Sequence, residues 1–144
     1  MYRPNVRAIL LSVAVLATGA CSNDTLSSLT TPTNPVTVTD TFTGTLTQNG
    51  AFTHPFTTAS LGAVTVTIVN LAPNSSQIVG ISLGVWNGSA CSTSPQTGGA
   101  SSDSATTGSS ITLNASAAGS LCVRLYDVGF VTSPVFYTFT VTHP

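Results

Sequence analysis

Residues 36–47 read VTVTDTFTGTLT. Val36, Val38, Phe42 and Leu46 alternate with Thr37, Thr39, Thr41, Thr43, Thr45 and Thr47. Successive side chains of an extended chain point to opposite sides. A period of two therefore places the apolar set on one sheet face and threonine on the other. Gln48-Asn49-Gly50 then ends the run with residues that tolerate positive φ, the signature of a tight turn.

The same rhythm recurs downstream. Phe52, His54 and Phe56 share one face, with Pro55 marking an edge or a bulge. After Ser60-Leu61-Gly62, the run Val64, Val66, Ile68 alternates with threonine. Ala72 to Ser76 is a loop, and residues 78–86 form a strand with Ile81, Leu83 and Val85 on one side. Residues 87–109 are rich in Gly, Ser and Thr, with a short strand expected near 100–106. Ile111, Leu113 and Ala115 follow, then Leu121, Val123 and Leu125 opposite Cys122, Arg124 and Tyr126. Val128 to Pro134 is a loop, and Val135, Tyr137, Phe139 and Val141 alternate with threonine to the end. Seven or eight short strands with frequent turns and no helical stretch predict an all-β domain. The expected architecture is an antiparallel two-sheet β-sandwich, jelly-roll or Ig-like, over residues 36–144.

Composition narrows the function. The 144 residues include 25 Thr and 19 Ser but only seven charged side chains, with no Lys and no Glu. Nucleic-acid binding rests on clustered Lys and Arg, so no nucleic-acid partner is expected. With 42% hydrophobic residues and a net charge of −1, the chain is not a disordered polyelectrolyte.

Upstream of the strands, residues 1–7 carry Arg3 and Arg7, and an apolar run extends from Ala8 to Ala20. A charged start, a short apolar core and small residues before a cut describe a secretory signal peptide over residues 1–20. The run is too short for a membrane-spanning helix. Thr18-Gly19-Ala20-Cys21 resembles the lipobox of bacterial lipoproteins. The resemblance implies that Cys21 is lipidated, carries palmitate and becomes the first mature residue. Ser22 in the following position implies sorting to the outer membrane. Residues 21–35 then read as the lipidated cysteine and a flexible tether, with two prolines and no apolar periodicity. The expected location is the bacterial cell envelope, with the membrane as partner through the lipid anchor.

Three cysteines in an exported chain leave one over after pairing. Cys91 and Cys122 are expected to form a structural disulfide, since oxidising compartments favour pairing. Their spacing is not the close Cys-x-x-Cys of a redox site. No metal site and no cofactor are expected.

Candidates for chemistry are few. Gly80-Ile81-Ser82-Leu83-Gly84 matches the G-x-S-x-G nucleophile elbow, but that chemistry needs a strand-to-helix turn, and this segment lies inside an alternating strand. Paired carboxylates have only Asp40, Asp103 and Asp127 to draw on within the domain. Asp127 is expected to cap a turn, and Arg124 to face outward or pair with an aspartate. His54 is expected to pack half-buried and His143 to sit exposed at the chain end. No catalytic residue is assigned. Trp86, beside Asn87-Gly88, and Phe130, in a loop, are the aromatics that would stack on a sugar ring if exposed.

The domain also resembles the bacterial pre-peptidase C-terminal domain, a β-sandwich appended to exported proteins. The likeness runs from about Asp40 to Val141. It is carried by Phe52-Thr53-His54-Pro55-Phe56, Gly62 to Thr67, Ile81 to Trp86, Gly119 to Leu125 and Tyr137 to Val141. It implies a non-catalytic targeting, binding or stabilising role. The aspartates common in that family's counterpart of Ile81–Trp86 are missing here. The expectation is a non-catalytic envelope lipoprotein acting as an interaction or structural module, with an envelope protein or a glycan as partner. A carbohydrate-binding module using Trp86 or Phe130 is the alternative.

Overall fold

The computed structural model describes residues 36–94 and 98–144. The readings made for the signal peptide, Cys21 and the tether lie outside these residues. Nine strands form among the described residues: β1 (Val38–Leu46), β2 (Ala51–Thr58), β3 (Gly62–Ala72), β4 (Val79–Trp86), β5 (Cys91–Ser92), β6 (Ala100–Ala105), β7 (Ser110–Ala115), β8 (Gly119–Tyr126) and β9 (Val135–His143). They build two antiparallel sheets. Sheet A has the order β1-β9-β3-β7. Sheet B runs β2-β8-β4, and β5 and β6 share the far side of β4.

The alternation read from the sequence is what closes the sandwich. Val64, Val66 and Ile68 of β3, Ile81 and Leu83 of β4, Val123 and Leu125 of β8, and Phe139 and Val141 of β9 are all buried in one shared core. On β3 and β9 their neighbours in sequence are mostly threonines on the outer face, so burial and solubility there follow from the same two-residue period. The predicted turn at Gln48-Asn49-Gly50 forms, with Asn49 at φ 55° and the Gly50 amide donating to Thr47 O at 2.9 Å. The strand expected near 100–106 is β6.

Three expectations need correction. Cys91 lies in a two-residue strand, not a loop, so the strand number is nine. Val36 and Val38 are exposed, at 82% and 45%. β1 is the outermost strand of sheet A, and Val38 pairs with His143 at the very end of β9, where little remains to cover it. His143 is buried, at 4%, although it is the penultimate residue. Its Nε2 lies 3.1 Å from Asp40 Oδ2, and its ring packs 5.3 Å from that of Phe56.

Strand β4 carries the least expected feature. Its core-facing row is Val79, Ile81 and Leu83; Gly80, Ser82 and Gly84 on its other side are buried as well. Gly84 pairs with Cys122 on β8, while Trp86 pairs with Cys91 on β5. The Cys91–Cys122 disulfide, with 5.7 Å between the Cα atoms, therefore bridges β5 and β8 across β4. A Cβ on Gly84 would sit 2.0 Å from the backbone oxygen of Ser92. Only a hydrogen side chain lets the chain after Cys91 cross there.

Two outcomes follow. Gly84→Ala is expected to destabilise the domain by about 1–3 kcal/mol, because the obstructing atom is backbone and cannot swing aside. Gly119→Ala, where a Cβ meets nothing within 4 Å, is the control and should change little. Denaturant unfolding of both variants under oxidising conditions checks this. Equal stabilities would mean that the crossing imposes no constraint.

Candidate binding surfaces

On the outer side of sheet B, Tyr126 of β8 pairs with Gly80, and its ring occupies the space that a Gly80 side chain would need. The Tyr126 hydroxyl donates to Asp103 Oδ1 on β6. One side chain thus straps three strands. Arg124 lies over the same ring, with Cζ 5.1 Å from the centroid, a cation–π distance. Arg124 is exposed, as expected, and Asp103 belongs to β6. Burial first, then the hydrogen bond to Asp103 and its charge, push the Tyr126 phenol up to about 12, with Arg124 opposing.

Ser82 lies between the two glycines, 3% exposed, and its hydroxyl has no hydrogen-bond partner among the described residues. Its position pairs with Arg124 and Ser101 on the flanking strands. The histidines lie elsewhere. His143 is on β9 of the other sheet, and His54 Nε2 is 2.8 Å from the Tyr137 hydroxyl between the sheets. The G-x-S-x-G match is therefore a row of small residues over which neighbouring groups cross. No imidazole adjoins the serine.

Asp127 does what its turn context predicts. Its Oδ1 accepts from the amides of Gly129, Phe130 and Val131, and Oδ2 accepts from the Asn49 amide at 2.9 Å. The Asn49 amide, then those of Val131, Gly129 and Phe130, hold the carboxyl below its ordinary range. This carboxylate ties the β8–β9 loop to the β1–β2 turn.

The two aromatics singled out from sequence are kept apart. Trp86 ends β4 next to the start of β8. Phe130 lies beyond the end of β8, 58% exposed, its carbonyl accepting from Gln77 Nε2 at 3.0 Å. The length of a strand of this size, roughly 25 Å, separates them, so they do not line one site. Trp86 is half-buried and borders a cavity of about 380 Å³ at the end of the sandwich. Leu113 and Leu121 supply apolar lining, and Asn114, Ser116 and Ser120 supply polar groups. A cleft of this size and mixed character suits a small neutral ligand.

The outer face of sheet A was not singled out from sequence as a patterned surface, although its threonines were placed on a solvent face. The registers align them into rows spanning all four strands. One row is Thr39, Thr142, Thr65 and Thr112; the next is Thr41, Thr140, Thr67 and Ser110. Neighbouring hydroxyls bond across strands, at 3.3 Å for Thr39–Thr142, 3.1 Å for Thr65–Thr112 and 2.8 Å for Thr67–Ser110. No ionisable side chain occurs in these rows. The signal in the sequence was the Thr-x-Thr repetition; the missing information was the register between strands far apart in the chain.

No family model matches the chain, and no curated protein matches it either.

Burial pushes the His54 imidazole below its ordinary pKa. Around it stand the rings of Phe42 and Phe139 and the neutral hydroxyl of Tyr137. The fold favours the neutral imidazole. Its contribution is therefore present above the unfolded value of about 6.5 and is lost as pH falls towards the lower folded value. Wild-type stability should drop between neutral pH and about pH 5 by more than that of His54→Phe. Parallel losses in urea melts would show that His54 carries none of the acid sensitivity.

Proposed function

We propose that this chain is an exported bacterial envelope lipoprotein whose non-catalytic β-sandwich is held near a membrane by lipid on Cys21. The observation that carries the reading is the use of the cysteines. Cys91 and Cys122 are joined within the domain, so the third cysteine of the chain is Cys21. It stands behind a short apolar run and the small residues Gly19 and Ala20. A disulfide within the sheet fits an oxidising compartment, and the signal-like segment fits export to one. The domain would act by contact, through its uncharged hydroxyl face or its sheet edges. A relationship to pre-peptidase C-terminal domains is part of the same proposal, resting on shared strand and turn patterns.

Palmitate labelling of the chain expressed in a Gram-negative host tests the anchor. Label should be incorporated into the wild type, be lost in Cys21→Ser, and be retained in Cys91→Ser/Cys122→Ser. Label that persists in Cys21→Ser overturns the lipoprotein reading.

The end cavity favours a second reading, a module for a small neutral saccharide, with Trp86 at the rim and Asn114 as the amide donor and acceptor. Trp86 is the single tryptophan of the chain, so its emission reports on this site alone. A saturable emission change on titration with neutral oligosaccharides, weakened about tenfold (~1.4 kcal/mol) in Asn114→Ala, is the expected result. Emission unaffected by every sugar of the panel rejects it.

A further inference from the structure

We propose that the free edge of β1 is a self-association surface, on which two copies of the chain pair antiparallel about a two-fold axis through Phe42. The inference goes beyond the tethered-module reading and stands without it, since it uses only the described domain.

The edges of the two sheets are not equally protected. Edge strands avoid pairing through shortness, proline, bulges or charge. On sheet B, β2 carries Pro55, β5 has two residues, and β6 has a register shift and Asp103. On sheet A, β7 is six residues long and lies against β6. Strand β1 has none of these devices among its nine residues beyond one aspartate, and its register with β9 runs unbroken over all nine pairs. Among the described residues no further strand pairs with its outer side.

The sequence of β1, VTDTFTGTL, is close to a palindrome about Phe42. Antiparallel pairing with a second copy centred there sets Thr41 opposite Thr43 and Thr39 opposite Thr45 on the outer face. On the inner face it sets Phe42 opposite Phe42, Val38 opposite Leu46 and Asp40 opposite Gly44. Like polar pairs and aromatic pairs directly opposite each other stabilise antiparallel strands, and like charges destabilise them. Here no charge meets a charge. Asp40, the one residue that would guard the edge, is already paired with His143 and would face a glycine. An isologous contact of this kind closes on itself, so the product is a dimer and not a filament. It would also cover Val38 and approach Phe52, which are 45% and 43% exposed along the seam between β1 and β2.

Cysteine crosslinking of the purified full chain, carrying Cys21→Ser and oxidised in solution, reads the register directly whether or not the chain is exported. Mixed Thr41→Cys and Thr43→Cys chains should give a disulfide-linked dimer on a non-reducing gel, as should Thr39→Cys with Thr45→Cys. Each variant alone, and the Cys21→Ser parent, should give at least tenfold less. Adding Thr43→Lys to the 39/45 pair should cut its yield roughly tenfold by placing charge on the edge. The melting temperature of that variant should stay near the parent's, which separates lost pairing from lost folding. Absence of crosslinks in both mixed pairs overturns the proposal. So does a Thr41→Cys chain that links to itself as well as to Thr43→Cys, since that requires a different register. The mixed-pair results do not depend on the lysine variant, so the test holds even if that variant fails to fold.

Discussion

The fold rests on burying one face of each sheet against the other. Nineteen apolar residues, from Leu46 to Val141, form a single buried cluster between the sheets. On sheet A the alternate residues then face outward, and the chain has almost no charge to put there. Threonine takes that role. Its β-branch suits the extended backbone, and its hydroxyl keeps the face wet. Where other proteins would align lysine against glutamate, sheet A aligns Thr65 against Thr112 and Thr67 against Ser110, at hydrogen-bond distance. A face built this way has no long-range field. It neither steers a charged partner nor weakens with salt, so selectivity on it must come from shape and hydroxyl geometry at contact.

Sheet B solves a different problem. Its outer side is crossed twice, once by the Tyr126 ring reaching from β8 to Asp103 on β6 and once by the chain after Cys91. Both crossings pass over β4, and both need the space where a side chain would stand. Gly80 and Gly84 provide it, and Ser82 between them is the largest residue of the row. Packing accounts for the two glycines; nothing in the structure explains a hydroxyl at position 82. The Ser82 hydroxyl, buried without a partner among the described residues, weighs on stability by about 1–3 kcal/mol. The disulfide offsets this on the chain-entropy model, where a loop of this length contributes roughly 3–4 kcal/mol. The link also fixes the short strand β5, which two backbone pairs would scarcely hold.

Much of this was legible in the strand periodicity. The inward rows of β3, β8 and β9 were read residue by residue, as were the Asn49 turn, the role of Asp127 and the pairing of Cys91 with Cys122. What escaped depends on contacts between residues far apart in sequence. His143 looked like an exposed end because nothing local announces that Asp40, a hundred residues earlier, lies beside it. Strand β5 has no periodicity to detect in two residues. The separation of Trp86 from Phe130 could not be read either. Each follows a strand of the same sheet, and only the antiparallel order of β4 and β8 sends them to opposite ends. The cavity beside Trp86 is assembled from β4 and the turn between β7 and β8, which no linear motif joins.

The corner where β1 begins and β9 ends shows how the fold treats its weakest point. Strand ends fray first, and this corner joins the first and last strands of the domain. Its polar groups are tied across the two sheets. Pro144 O accepts from the Ala59 amide at 3.0 Å and from the Thr58 hydroxyl at 3.1 Å, linking the end of β9 to the end of β2. His143 binds Asp40 on β1 and packs on Phe56 of β2. Thr58 is buried there, its single hydroxyl proton shared between Pro144 O and Ser60 O. The first pair of the β1–β9 ladder, Val38 with His143, is therefore flanked by side-chain contacts that reach both sheets.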